Sequence, residues 1–244
     1  MALFVDGPVS NVGDLARIDA GLLDTAASHS IDVAARIQLA HEAIGSDIQL
    51  WLERVGARID QVVAGTAIRD WEAMQSLALV YRDAYFSDLA ERYRARWDEY
   101  ARLSRNAYER FVAAGLGVVT NPVRKALPPV LSSIAGPQPG GAAYACIAWV
   151  NAAGGQGEPS DVTSLDIPEG YIMTVSAPEP PANAVGFNVF AGPTLGALTQ
   201  RNDTPLPNDG TFLYIPGAPT SGRLPGTGQQ PDSTRPLARI IPRG

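Results

Sequence analysis

The side chains suited to catalysis are few in this sequence. It holds two histidines, His29 and His41, and one cysteine, Cys146. A zinc site asks for clustered His, Cys or carboxylate ligands, as in His-Glu-x-x-His, and no such spacing occurs. His29 falls just before a helix start, where it reads as exposed, and His41 reads as an ordinary helix-flank residue beside Glu42. A cysteine nucleophile needs a base. Cys146 sits in an apolar, alternating stretch and no histidine shares its half of the chain, so it reads as a small buried hydrophobe. The glycine pairs Gly140-Gly141 and Gly154-Gly155 lack the Gly-Lys-Ser/Thr ending of a phosphate loop, and the single lysine, Lys125, is followed by Ala126. The run holding Asn202, Asp203 and Asp209 is interrupted by Pro205 and Pro207 and fits a calcium loop poorly. Asp83, Asp88 and Glu91 are spaced as solvent-facing helix residues, and nothing isolates a pair for glycoside hydrolysis. The expectation is a non-enzyme with no catalytic residue, no cofactor and no metal.

Composition points the same way. The 244 residues are 45% hydrophobic and 18% charged, enough for one or two domains with real cores. The formal net charge is −6, against the clustered positive surface that wrapping nucleic acid requires. All but one of the 19 basic residues are arginine, whose planar fork suits ion pairs at interfaces. No apolar run approaches the roughly 18 residues of a membrane span. The opening Met1-Ala2-Leu3-Phe4-Val5-Asp6-Gly7-Pro8 has no basic region, so no secretory leader is expected and folding in a cytoplasm is.

The elements that must position these residues change character near residue 120. Residues 1–120 contain one proline, Pro8, and the rest contain nineteen. Proline breaks helices, so the first half is free to be helical and the second is not. A short helix is expected over 13–26, with Leu15, Ile18 and Leu22 on one face. A second, capped by Ser30 or Asp32, carries Val33, Ile37, Ala40, Ile44, Ile48, Trp51 and Val55 at steps of three and four. Asp70 caps a third, with Trp71, Met74, Ala78, Tyr81, Tyr85 and Leu89, and a fourth run carries Trp97, Tyr100, Ser104, Tyr108 and Phe111. Nothing between Tyr93 and Trp97 breaks the pattern, so the third and fourth runs are open to being one long helix, stopped by Gly115 and Gly117. Tyr85 and Phe86 are adjacent, about 100° apart on a helix, so one core face cannot hold every ring of this aromatic segment. Surplus rings and arginines are the usual anchors of subunit contacts.

Residues 118–140, with Pro122, Pro128, Pro129, Pro137 and Pro139, read as a semi-rigid connector. Beyond it, alternation predicts a strand over 144–150 and further strands at 161–167, 171–176 and 185–191, with shorter pieces near 196–200 and 211–215. Turn-rich spacers at this interval suggest a small sandwich or barrel. The expected class is α+β: helical domain 1–117, linker 118–140, immunoglobulin-like β-sandwich 141–217 and extended tail 218–244.

Two stretches carry a family resemblance. Tyr144-Ala145-Cys146-Ile147-Ala148-Trp149-Val150-Asn151-Ala152-Ala153-Gly154-Gly155, continuing through Gly157-Glu158-Pro159-Ser160, resembles a strand and loop of fibronectin type III and related immunoglobulin-like modules. Ala184-Val185-Gly186-Phe187-Asn188-Val189-Phe190-Ala191-Gly192 resembles another strand of such modules. The strand resembling the late one comes first, which implies a permuted or incomplete sandwich. In the first half, Ile31–Ile37, Trp71–Tyr85 and Arg94–Tyr100 resemble the head-to-tail connector (adaptor) proteins of tailed bacteriophages over roughly residues 30–115. That resemblance implies a virion structural protein at the head–tail junction. It would form a homo-oligomeric, usually dodecameric, ring on the portal protein, contact tail or neck proteins, and surround double-stranded DNA only as a passage. The surplus of rings and arginines nominates Arg82, Tyr85, Phe86, Arg96 and Trp97 for interfaces, and the resemblance adds Leu237, Ile240 and Ile241 as a terminal anchor. Another virion role, such as capsid decoration, collar or tail completion, is the alternative; a non-viral binding module is a third.

Overall fold

The computed structural model describes residues 1–218 and 222–237. It shows an α-helical N-terminal region followed by several antiparallel β-sheets. In chain order the helices are α1 (Val12–Ile18), α2 (Leu22–Ser28), α3 (Val33–Val55), α4 (Thr66–Asp88) and α5 (Glu91–Ala114). The strands are β1 (Leu116–Val118), β2 (Val130–Ala135), β3 (Gly141–Asn151), β4 (Thr163–Ile167), β5 (Tyr171–Ser176), β6 (Ala184–Gly192), β7 (Thr199–Gln200), β8 (Thr211–Tyr214) and β9 (Ser233–Arg235). The chain divides into two compact units, one of Phe4–Thr120 resumed at Pro231, the other of Met1–Leu3 with Asn121–Gln230.

In the helical unit, local chemistry sets some of the helix ends. Asn11 and Asp14 form a reciprocal capping box on α1. Asp32 caps α3 by accepting from the Ala35 N–H at 3.0 Å, and Gly56 ends it at φ 66°. Three expectations need correction. The single helix over 13–26 is two, because the chain becomes extended at Asp19 and turns its carboxylate inward. The third helix starts one turn before Asp70: Gly65 precedes it, and the Arg69 N–H already reaches the Gly65 carbonyl at 3.1 Å. The third and fourth runs are separate helices, because Leu89 adopts a left-handed conformation (φ 52°, ψ 31°). That turn folds α5 back along α4, so Leu77, Tyr81 and Ala84 of α4 share one apolar cluster with Tyr93 and Tyr100 of α5. One straight helix would leave both stripes in water.

The C-terminal segment completes this unit. β9 pairs antiparallel with β1, Leu116 opposite Arg235 and Val118 opposite Ser233. Gly115 makes the approach possible: it sits at φ 80°, and a Cβ there would lie 2.8 Å from Thr234 Cγ2 and 2.9 Å from the Arg235 carbonyl oxygen. Leu237 is buried in the cluster of Ile44, Ile48, Trp71, Phe111 and Leu116. Residues 231–237 therefore belong to the helical unit, where an extended tail over 218–244 was expected.

The β unit holds a three-stranded sheet of order β2-β5-β8 and a four-stranded sheet of order β4-β3-β6-β7. One core joins them: Leu131, Met173, Val175, Phe212 and Tyr214 from the first meet Ala145, Ile147, Trp149, Phe187 and Val189 from the second. Residues 118–140 are not only a connector. Val123 and Ala126 are in this core, and residues 130–135, which contain no proline, pair with β5 along their whole length.

Sequence reasoning placed His41 on an open flank; the fold buries it. Its Nδ1 bonds Glu72 Oε2 at 2.8 Å and its ring stacks on Phe4 with centroids 4.1 Å apart. The fully buried Glu72 also accepts from the Val9 N–H (2.9 Å), the Ser10 N–H (2.8 Å) and the Ser10 hydroxyl (2.7 Å). One carboxylate thus ties the N-terminal segment and α3 to α4. Glu72→Ala would strand two backbone donors, a hydroxyl and an imidazole, at a cost of about 2–4 kcal/mol. Denaturant unfolding of the variant is expected to show the midpoint falling with an unchanged slope.

Candidate interaction surface

The turn between α4 and α5 gathers the nominated aromatic residues. Tyr85 and Phe86 lie on the last turn of α4, and Trp97 on the second turn of α5. Ring centroids are 5.4 Å apart for Tyr85–Phe86, 6.1 Å for Tyr85–Trp97 and 5.9 Å for Phe86–Trp97. Tyr85 and Trp97 are half-buried and form a floor. Phe86 packs against it and is 62% exposed, and Leu89, in the turn that follows, is 66% exposed. An exposed Leu in left-handed backbone is doubly costly, since this conformation disfavours residues with a Cβ by about 1–2 kcal/mol and Gly or Asn normally takes the place.

The two nominated arginines differ in what they hold. Arg82 lies beside Asp83, with Nη2 3.2 Å from Oδ1. Arg96 reaches the buried Asp19, Nη1 to Oδ2 at 3.3 Å. The same Oδ2 accepts from the Tyr81 and Tyr100 hydroxyls, each at 2.7 Å, and Oδ1 accepts from the Gly21 N–H at 2.9 Å. Burial pushes the Asp19 carboxyl upward, the largest single effect, but the two hydroxyls, the Gly21 N–H and the Arg96 charge together outweigh it and leave it below the ordinary carboxylate value. Burial and the same bond push the Tyr100 hydroxyl up to about 12. Arg96 is therefore part of a hub joining the α1–α2 turn to α4 and α5, as well as a half-exposed cation near the aromatic patch. Of the proposed anchor, Leu237 is internal, and Ile240 and Ile241 lie outside the described residues.

The chemistry-bearing side chains are dispersed. His29, expected to be exposed, has a mostly covered ring whose Nε2 lies 3.0 Å from the Tyr93 hydroxyl. Cys146 is buried and its thiol is pushed up to about 11 by burial. An open groove of about 300 Å³ beside α3, α4 and α5 is lined by Asp47, Gln75, Ser104 and Arg105, among others. Ser104 is already committed there to Gln75 at 2.7 Å, and burial raises the Asp47 carboxyl. Among the described residues no group of three or more His, Cys, Asp or Glu is placed to hold a metal ion, and no helix is long and apolar enough to cross a membrane. What sequence reasoning missed was the pair of buried carboxylates; their partners are distant in the chain, so no local signal marks them.

Two outcomes test this description. Because the Asp19 carboxyl is depressed in the folded state, its stabilisation is complete above the unfolded value of about 4 and is lost as pH falls through the lower native value. Asp19→Asn should cost about 1–3 kcal/mol at neutral pH and flatten the acid limb of a stability–pH profile. Leu89→Gly should raise stability by up to about 1 kcal/mol in thermal melts, because it relieves the left-handed backbone.

Compared with protein-family models, curated proteins and solved structures, the chain matches none.

Proposed function

We propose that this protein is a head-to-tail adaptor of a tailed-phage virion, assembling as a ring against the portal protein through the α4–α5 turn. The observation that carries the reading is exposed Phe86 packed on Tyr85 and Trp97, with exposed Leu89 in left-handed backbone in the turn that follows, on a two-helix hairpin. Rigid aromatic anchors lose little entropy on docking, and nearby arginines supply bidentate partners for carboxylates. A net charge of −6 suits a ring that lets DNA pass without gripping it. Copy number follows the resemblance, which implies twelve.

We read the β unit as an immunoglobulin-like sandwich of permuted strand order, an appendage for tail or neck proteins. Inward residues of both sheets meet in one core. The two strands that carry the resemblance, β3 and β6, are hydrogen-bonded neighbours inside the four-stranded sheet, Cys146 opposite Phe190. Permutation then alters only the order in which the chain visits them.

Electron microscopy of the purified chain mixed with its cognate portal protein tests the proposal. Rings capping the portal are expected, and Phe86→Ser should abolish them while leaving the thermal melt within a few degrees. A chain that stays monomeric with the portal present, or a Phe86→Ser variant that assembles normally, would overturn it.

A further inference from the structure

The two sheets of the β unit differ in how their outer faces are treated. Behind the four-stranded sheet, Cys146, Ala148 and Phe190 are covered together with Leu198. The segment after β7 runs alongside β6, with Asn202 bonding the Val189 N–H at 2.7 Å and Leu206 exchanging two 2.9 Å backbone bonds with Phe187. Among the described residues the outer face of the three-stranded sheet stays exposed at several apolar positions. Its cross-strand rows are Val130–Ser176–Thr211, Ser132–Thr174–Leu213 and Ile134–Ile172. No residue in these rows is charged, and Val130, Ile134 and Leu213 are 57%, 46% and 46% exposed.

β2 and β8 stand at the two ends of that sheet, and among the described residues no strand pairs with either on the far side. Natural edge strands are guarded by charge, proline or a bulge within the strand. Val-Leu-Ser-Ser-Ile-Ala in β2 and Thr-Phe-Leu-Tyr in β8 contain none of these. Unpaired backbone N–H and C=O groups on an uncharged edge call for another uncharged strand. β2 and β8 both run antiparallel to β5 and hence parallel to each other, so copies related by rotation about an axis along the strands present β8 of one to β2 of the next with constant polarity. A ring consumes every edge in this way, whereas a two-fold pairing through β2 leaves every β8 exposed.

We propose that the occupant of each edge is a second copy of this chain: β8 of one subunit adds to β2 of its neighbour, extending the Ser132–Thr174–Leu213 row so that Leu213 lies beside the neighbour's Ser132. This rests on the ring reading above and names the contact between its subunits.

Cysteine cross-linking of the full chain tests it against a clean background, since the only native thiol, Cys146, is buried. Under mild oxidation at high protein concentration, a Ser132→Cys/Leu213→Cys double variant should give a ladder of covalent multimers on a non-reducing gel. Each single variant should stay monomeric, and an equimolar mixture of the two singles should stop at dimers. Dimers from Ser132→Cys alone, or monomers throughout, would overturn the proposal. Val130→Cys with Thr211→Cys, in the next row, repeats the test if the first pair fails to fold. Microscopy of the ladder separates the two ideas: closed rings support both, whereas open filaments keep the β8–β2 contact and overturn the ring.

Discussion

Asp19 is the constraint on which the helical unit turns. It is taken out of water with one charge, and four donors from three places answer it: the Gly21 amide, the Tyr81 and Tyr100 hydroxyls and the Arg96 guanidinium. Losing any of them leaves a buried carboxylate short of partners, so the α1–α2 turn, α4 and α5 are held in one register. The Tyr81 and Tyr100 rings stack 5.5 Å apart as a consequence. At the far end of the same hairpin Phe86 packs on Tyr85 and Trp97 and is exposed, as is Leu89. Glu72 plays the matching part at the N-terminal segment, where backbone amides, a hydroxyl and an imidazole converge on one side chain.

The β unit is spliced into this framework rather than appended to it. The helical unit keeps its last strand, β9, for pairing with β1, and buries Leu237 in its own core. The ends of the insert are tied separately within the β unit: the Val123 N–H donates to Gln229 Oε1 at 2.6 Å, and Gln229 Nε2 donates to the Asn121 carbonyl at 3.1 Å. An insert whose ends are fastened together adds little loop-closure cost to its host.

Chemistry and shape agree on the class of function proposed. The polar side chains with perturbed titration serve packing, and the reactive thiol is sealed in an apolar cluster. Exposed apolar side chains include Phe86 and Leu89 at the hairpin tip of one unit and Val130, Ile134 and Leu213 on the outer sheet face of the other.

From the residues alone one could read which kind of element each segment forms. A single proline before residue 120 and nineteen after it divide helix from strand, because proline lacks the amide a helix needs. The three-and-four spacing from Val33 to Trp51 and the alternation from Tyr144 to Val150 give α3 and β3, because side-chain direction repeats with the backbone. The adjacent Tyr85 and Phe86 announced surplus rings for the same reason. What lay beyond reach was decided between residues far apart. Tyr81 and Tyr100 meet Asp19 across 62 and 81 positions, and only that meeting splits the first helix and turns Asp19 inward. The break at Leu89 has no local marker, since burial of two facing stripes, not residue preference, selects the left-handed turn. His41, β2 and Leu237 were misplaced for the same reason: periodicity reports which way a side chain points, and only the packed chain supplies what it points at.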